Sequence, residues 1–321
     1  MLNQTQKKIV YLDNETLRYM FYTYTGEREY PVMKKLYAIL CDGFMKDWLV
    51  TPLSVDHVLP YIIDNNVEAS FLAMMGGIGQ VQFHQRFTIK TLQFIRIINH
   101  FFNNSYGKPL WRDAFTSDPD EKFRQDFNRY ASISAQNVFQ AVSREKNYSQ
   151  VFKFIESYKS GNAVEEIAAQ HFRSIWDQFP DLIKPFLPTA GEPETHIIKF
   201  LENGDIREIP EFHILATVLY PMVKAYGIDQ IEHGLRDEEL LAAESIAVYL
   251  PHCHYYVTKV DIAEILTKSD VQETYHVRVY DHNENSLYRL IEGLTEDCKN
   301  EVSRKEYQSR KTIFQKGGTK R

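Results

Sequence analysis

Two stretches of the chain, one near each end, alternate short apolar runs with helical periodicity, and this alternation constrains the fold more than any other feature. Residues 9–12 (I-V-Y-L) are apolar and β-compatible, and residues 16–22 read as the first turns of a helix. Residues 30–44 carry Val32, Leu36, Ile39, Leu40 and Phe44 at roughly helical spacing, with Gly43 as a stop signal. Residues 48–50 (W-L-V) form a second apolar run, closed by Thr51 and Pro52. Ser54 then stands where a helix cap would, ahead of V-D-H-V-L-P-Y-I-I. The pattern resumes late in the chain. Helices are expected over 214–226 (kinked or ended by Pro221), 237–250, 260–266 and 286–293, with strands at 255–258 and 277–280.

Short strands separated by helices imply a parallel sheet with crossover helices. Neither end supplies enough strands alone, so the two are expected to complete one sheet. Between them no strand is evident, and residues 87–102, 121–142, 147–158 and 163–179 read as helices. The expected architecture is therefore α/β: a central, mostly parallel sheet interrupted by a large all-helical insertion. Its parts are a first α/β half over residues 8–80, the insertion over 81–209, a second α/β half over 210–295 and a basic C-terminal tail over 296–321.

Of the 321 residues, 44% are hydrophobic and 25% charged, an ordinary globular balance. No run of eighteen apolar residues occurs, so no membrane span is expected. The start lacks the long apolar stretch of a signal peptide, and three cysteines do not make a disulfide framework; both fit the cytoplasm. Net charge is −6, but residues 304–321 hold seven Lys or Arg against one acid, Glu306. That segment reads either as a frayed, solvated tail or as an arm that follows phosphates.

Several residues carry candidate chemistry. Asp13 ends the first strand, where open α/β sheets bind ligands. It is either the cap of the following helix or a ligand of a divalent cation, since a buried carboxylate needs a partner. Asp56 and His57 fall in a first helical turn, positions explained by dipole compensation and local structure. Asp237 and Glu244 are seven residues apart and share a helical face, with Glu239 about 140° from Glu244. His252-Cys253-His254 has no second pair at zinc-finger spacing. Residues 74–79 (M-M-G-G-I-G) lack a phosphate-loop ending and read as a tight turn. Neither Cys41 nor Cys253 belongs to a recognisable nucleophile pattern.

Three segments in this order resemble the PIN-domain superfamily of metal-dependent nucleases. Y-L-D-N-E-T-L (11–17) is similar to the family's opening strand and D-T-N turn, with Asp13 on its first metal-binding aspartate and Glu15 on its Asn. V-T-P-L-S-V-D-H-V-L-P (50–60) resembles its second pattern, and E-E-L-L-A-A-E-S-I-A-V-Y-L-P-H-C-H-Y-Y-V-T-K (238–259) its third. The resemblance covers residues 8–70 and 210–293 and leaves the helical middle unexplained. It also departs from the pattern. Leu59 or Pro60 stands where an acid is expected, His254 and Lys259 replace two aspartates, and Ala242 a third.

The resemblance implies hydrolysis of phosphodiester bonds in RNA or DNA, RNA ahead of DNA, with water as nucleophile and Mg²⁺ or Mn²⁺ as cofactor. Asp13, Glu239 and Glu244 would be catalytic, and the same three with His254 would hold metal; Asp56 and Asp237 are substitute acids. His254 would shift preference toward a softer ion. Lys259 would pair with Asp13 or contact phosphate, and Arg310 and Lys311 would contact nucleic acid. The alternative is a catalytically inactive PIN-like module acting through protein or nucleic-acid contacts. The insertion would shape a substrate channel or form an interface with a protein partner or a second copy.

Overall fold

The computed structural model describes residues 7–54, 57, 65–78, 86–103, 187–188, 195–196, 199, 210–226, 243 and 245–317. In chain order the elements are β1 (Lys8–Tyr11), α1 (Asn14–Thr25), α2 (Pro31–Met45), β2 (Leu49–Val50), α3 (Asn65–Gly76) and α4 (Arg86–Asn103). They continue with α5 (Pro210–Tyr226), β3 (Tyr255–Thr258), α6 (Val260–Lys268), α7 (Val271–Tyr275), β4 (Arg278–Asp281) and α8 (Glu284–Gly317). The four strands form one sheet in the order β2-β1-β3-β4, and every pairing is parallel. Strands from both ends of the chain therefore do complete a single sheet, and the α/β class expected from the alternation holds. The expected helices at 121–142, 147–158 and 163–179 lie outside the described residues.

Alternation along the strands divides the core into two faces. Val10, Leu12, Tyr255 and Val257 turn toward α1, α2 and α8, where they pack with Leu17, Leu36, Leu40, Leu287, Leu290 and Leu294. On the other face Tyr11 is the centre of an aromatic stack. Its ring lies 4.7 Å from that of Tyr256 at 9°, 5.7 Å from Tyr249 and 4.7 Å from His57.

Gly43 is not a stop signal. It sits inside α2, which runs on to Met45 and is followed by Asp47 in the left-handed region at φ 57°. The glycine serves close approach: a Cβ there would meet Leu49 Cβ at 2.9 Å and the Trp48 ring at 3.2 Å. Gly43→Ala is therefore expected to destabilise by about 1–3 kcal/mol through overpacking, despite the better helix propensity of alanine. Urea denaturation checks this; an unchanged or raised midpoint would mean that β2 yields freely. Pro221 neither ends α5 nor divides it, since the helix continues to Tyr226.

The last helix is far longer than the expected 286–293. It runs through Gly293 to Gly317, so part of the basic tail is helical. It starts just past the carboxyl end of β4 and passes to the amino end of the sheet. There Asp297 accepts the Tyr255 hydroxyl at 2.5 Å and lies 3.5 Å from Lys8 Nζ. Arg278 Nη1 donates to the same hydroxyl at 3.3 Å. No helix among the described residues is long and apolar enough to cross a membrane.

Candidate functional site

The strand order reverses direction at β1. The chain goes from β1 to β2 on one side, then crosses back to β3 on the other. A parallel sheet opens a crevice outside the carboxyl ends of its strands at such a switch point. Val10 pairs with Tyr255 and Tyr11 with Tyr256. Carried forward two residues, that register sets Asp13 level with Thr258. Thr258 in turn pairs with Asp281, the last residue of β4. Asp13, Lys259 and His282 thus all follow neighbouring strands at one edge of the sheet.

Asp13 caps α1 by accepting the Thr16 amide on Oδ1 at 2.9 Å. The half-buried carboxyl is held above its ordinary value, chiefly by burial and slightly by Glu15; the Thr16 amide and His282 pull it down. No Lys or Arg pairs with it among the described residues. The two sequence readings, cap and ligand, are therefore not exclusive. One oxygen holds the helix, and burial makes the ionised carboxyl costly, a cost that a cation would offset.

Glu15 stands in the first turn of α1. Its Oε1 accepts the Tyr19 hydroxyl at 2.8 Å, and Arg18 Nη2 lies 3.6 Å away. Its Oε2 lies 3.9 Å from His282 Nδ1. His282 was not apparent as a site residue in the sequence. The available signal was its place, one residue past the last strand. Asp281 beside it is occupied locally: its Oδ1 accepts the Asn283 amide and its own amide donates to Ser286 Oγ. Lys259 precedes α6, is exposed, and forms no ion pair with Asp13.

His254 is not brought to this edge. It precedes β3, at the amino end of the sheet, and its Nδ1 accepts the Ile9 amide at 3.1 Å. Four strand residues, roughly 13 Å, separate its level from that of Asp13, so the two do not share an ion. Burial, with Lys8 adding to it, holds the imidazole down to about 4, partly opposed by Asp297. The folded form thus binds its proton more weakly than the unfolded chain. Its contribution to stability is full above about pH 6.5 and is lost as pH falls toward 4. Between pH 7 and pH 5 the protein should lose about 2 kcal/mol through this residue. Denaturation at both pH values checks it: His254→Gln should show a shallower loss by that amount, and equal slopes would contradict the assignment.

Ser54 and His57 are structural partners. The Ser54 amide donates to His57 Nδ1 at 3.1 Å, and Ser54 Oγ pairs with the Tyr11 hydroxyl at 3.2 Å. The Cys253 thiol is buried against the Tyr249 carbonyl and pushed up by that burial, which suits packing rather than nucleophilic attack. Arg310 and Lys311 belong to α8, and Arg310 stands about 39 Å along its axis from Glu284 at 1.5 Å per residue. They are therefore remote from Asp13.

Asp56, Asp237, Glu239 and Glu244 lie outside the described residues. Among the described residues no group of three or more His, Cys, Asp or Glu is arranged to hold a metal ion. The described residues therefore do not by themselves make a cation site, and a ligand role for Asp13 needs partners from outside them. Compared with protein-family models, curated proteins and solved structures, the chain matches none.

Proposed function

We propose that this chain is a PIN-like, metal-dependent nuclease that hydrolyses phosphodiester bonds in RNA at the carboxyl edge of its sheet. The observation that carries this reading is the carboxylate of Asp13. It is half-buried, pairs with no Lys or Arg among the described residues, and follows an interior strand at the switch point between β1 and β3. Asp13 is one ligand, and Glu239 and Glu244 complete the acidic set. These residues would hold Mg²⁺ or Mn²⁺, which would supply Lewis acidity and activate a water. Lys259, exposed beside the crevice, contacts phosphate. His282 takes up part of the Asp13 charge.

A second reading, a PIN-like module that binds without cutting, is favoured by one fact. Asp13 already spends an oxygen on the helix cap. An end-labelled single-stranded RNA incubated with Mg²⁺, Mn²⁺ or EDTA separates the two. The nuclease reading expects fragments with metal and none with EDTA. RNA that is retained intact under all three conditions would leave the binding module.

A further inference from the structure

A pocket of about 440 Å³ opens between α1 and α2, apart from the crevice. Its floor is Met20 and Met33, both buried, and its walls are Tyr24, Tyr30 and Tyr37. Tyr37 is fixed, its hydroxyl donating to the Met74 carbonyl at 3.1 Å and its ring meeting that of Tyr24 edge-on at 5.7 Å. Tyr30 is fixed against Tyr19, with ring centres 5.1 Å apart. Tyr24 is 45% exposed, unusual for so large a ring. The rim carries two exposed charges of opposite sign, Glu29 and Lys34.

Each part of this lining matches one part of a nucleotide. Tyrosine faces and methionine sulfur accept a flat heterocycle, as aromatic platforms do for single strands. Lys34 offers a cation to the attached phosphate. Glu29 accepts hydrogen bonds, which suits an exocyclic amino group; uracil has none. The position also fits. Met20 and Tyr24 follow Asp13 on α1 by seven and eleven residues, about 10–16 Å along the axis. That is within reach of a short single-stranded segment.

We infer that this pocket holds one base of a single-stranded RNA whose backbone runs on to the carboxyl edge of the sheet. The inference rests on the nuclease reading for the class of its occupant. Binding is measured without metal, so that the two fail separately.

Fluorescence anisotropy of labelled eight-nucleotide RNAs in EDTA tests it. Oligo-C and oligo-A should bind at least roughly fivefold more tightly than oligo-U, and Glu29→Ala should erase the difference. Tyr24→Ala should weaken binding at least about tenfold, while Tyr24→Phe keeps it within about twofold. Both changes are at an exposed residue, and circular dichroism checks the fold. Cleavage is assayed separately with Mg²⁺: if Asp13→Asn cleaves as wild type while Tyr24→Ala still loses binding in EDTA, the pocket stands and the metal reading falls. Wild-type affinity in both Tyr24→Ala and Lys34→Gln, or no binding by the wild type, overturns the pocket. So does a concentration-dependent self-association that Tyr24→Ala abolishes, because the pocket would then hold a second copy.

Discussion

Asp13→Asn is expected to lower RNA cleavage at least about 100-fold while leaving the fold as stable as the wild type or more so. Asp13→Ala should abolish cleavage equally but cost about 0.5–2 kcal/mol of stability. The difference follows from the two jobs of one carboxylate. As a cap, Asp13 accepts the Thr16 amide, and asparagine caps about as well. As a charge, it is disfavoured by burial, so its folded value lies above the unfolded one. Its stabilising contribution is present below the unfolded carboxylate range and is lost as pH rises through the folded value. At neutral pH the ionised group therefore weakens the fold, and asparagine relieves that cost. Thermal melts of both variants at pH 7, beside cleavage assays, read the two roles independently. Cleavage that survives Asp13→Asn would leave the residue as a cap alone.

Tyr11→Ala is expected to cost about 3–5 kcal/mol, a large share of the roughly 5–15 kcal/mol that holds a domain together. Tyr11 is 3% exposed at the centre of a stack with Tyr256, Tyr249 and His57. Removing its ring leaves a void on the face of β1 that the parallel register cannot close, since Tyr11 pairs with Tyr256 on the next strand. Tyr11→Phe keeps the stack and gives up the contact with Ser54 Oγ, a change of about 1 kcal/mol. Tyr11 and Asp13 are two residues apart and so point the same way from the chain. Loss of the ring should therefore also displace the carboxylate. Urea unfolding of both variants measures the effect. A Tyr11→Ala loss below about 1 kcal/mol would show that the stack is not a keystone of the sheet.

The four strands were legible because each is a short apolar run beside a turn or a helical pattern. Strand order was not, and order is what makes Asp13 a switch-point residue. His254 illustrates the gap. A family motif aligns it with a metal ligand, but it precedes its strand whereas Asp13 follows one. In parallel pairing those positions fall at opposite ends. His282 is the converse case: 269 residues beyond Asp13 in sequence, it acts on Asp13 electrostatically because β4 joins the same sheet. Gly43 was read as punctuation because sequence carries no record of what approaches a glycine. The length of α8 was missed because the pattern of buried leucines ends at Leu294, while its polar continuation stays helical. The tyrosine pocket needed two helices to be set side by side. Glu239 and Glu244, the expected acidic partners, lie outside the described residues.

A cation site at the carboxyl edge beside Asp13 is read by calorimetric titration of Mn²⁺ into the wild type and into Asp13→Asn. Saturable binding by the wild type is expected, with a rise in its melting temperature, and loss of both in Asp13→Asn. No binding of Mn²⁺ or Mg²⁺ by the wild type, or equal binding by the two proteins, would contradict it.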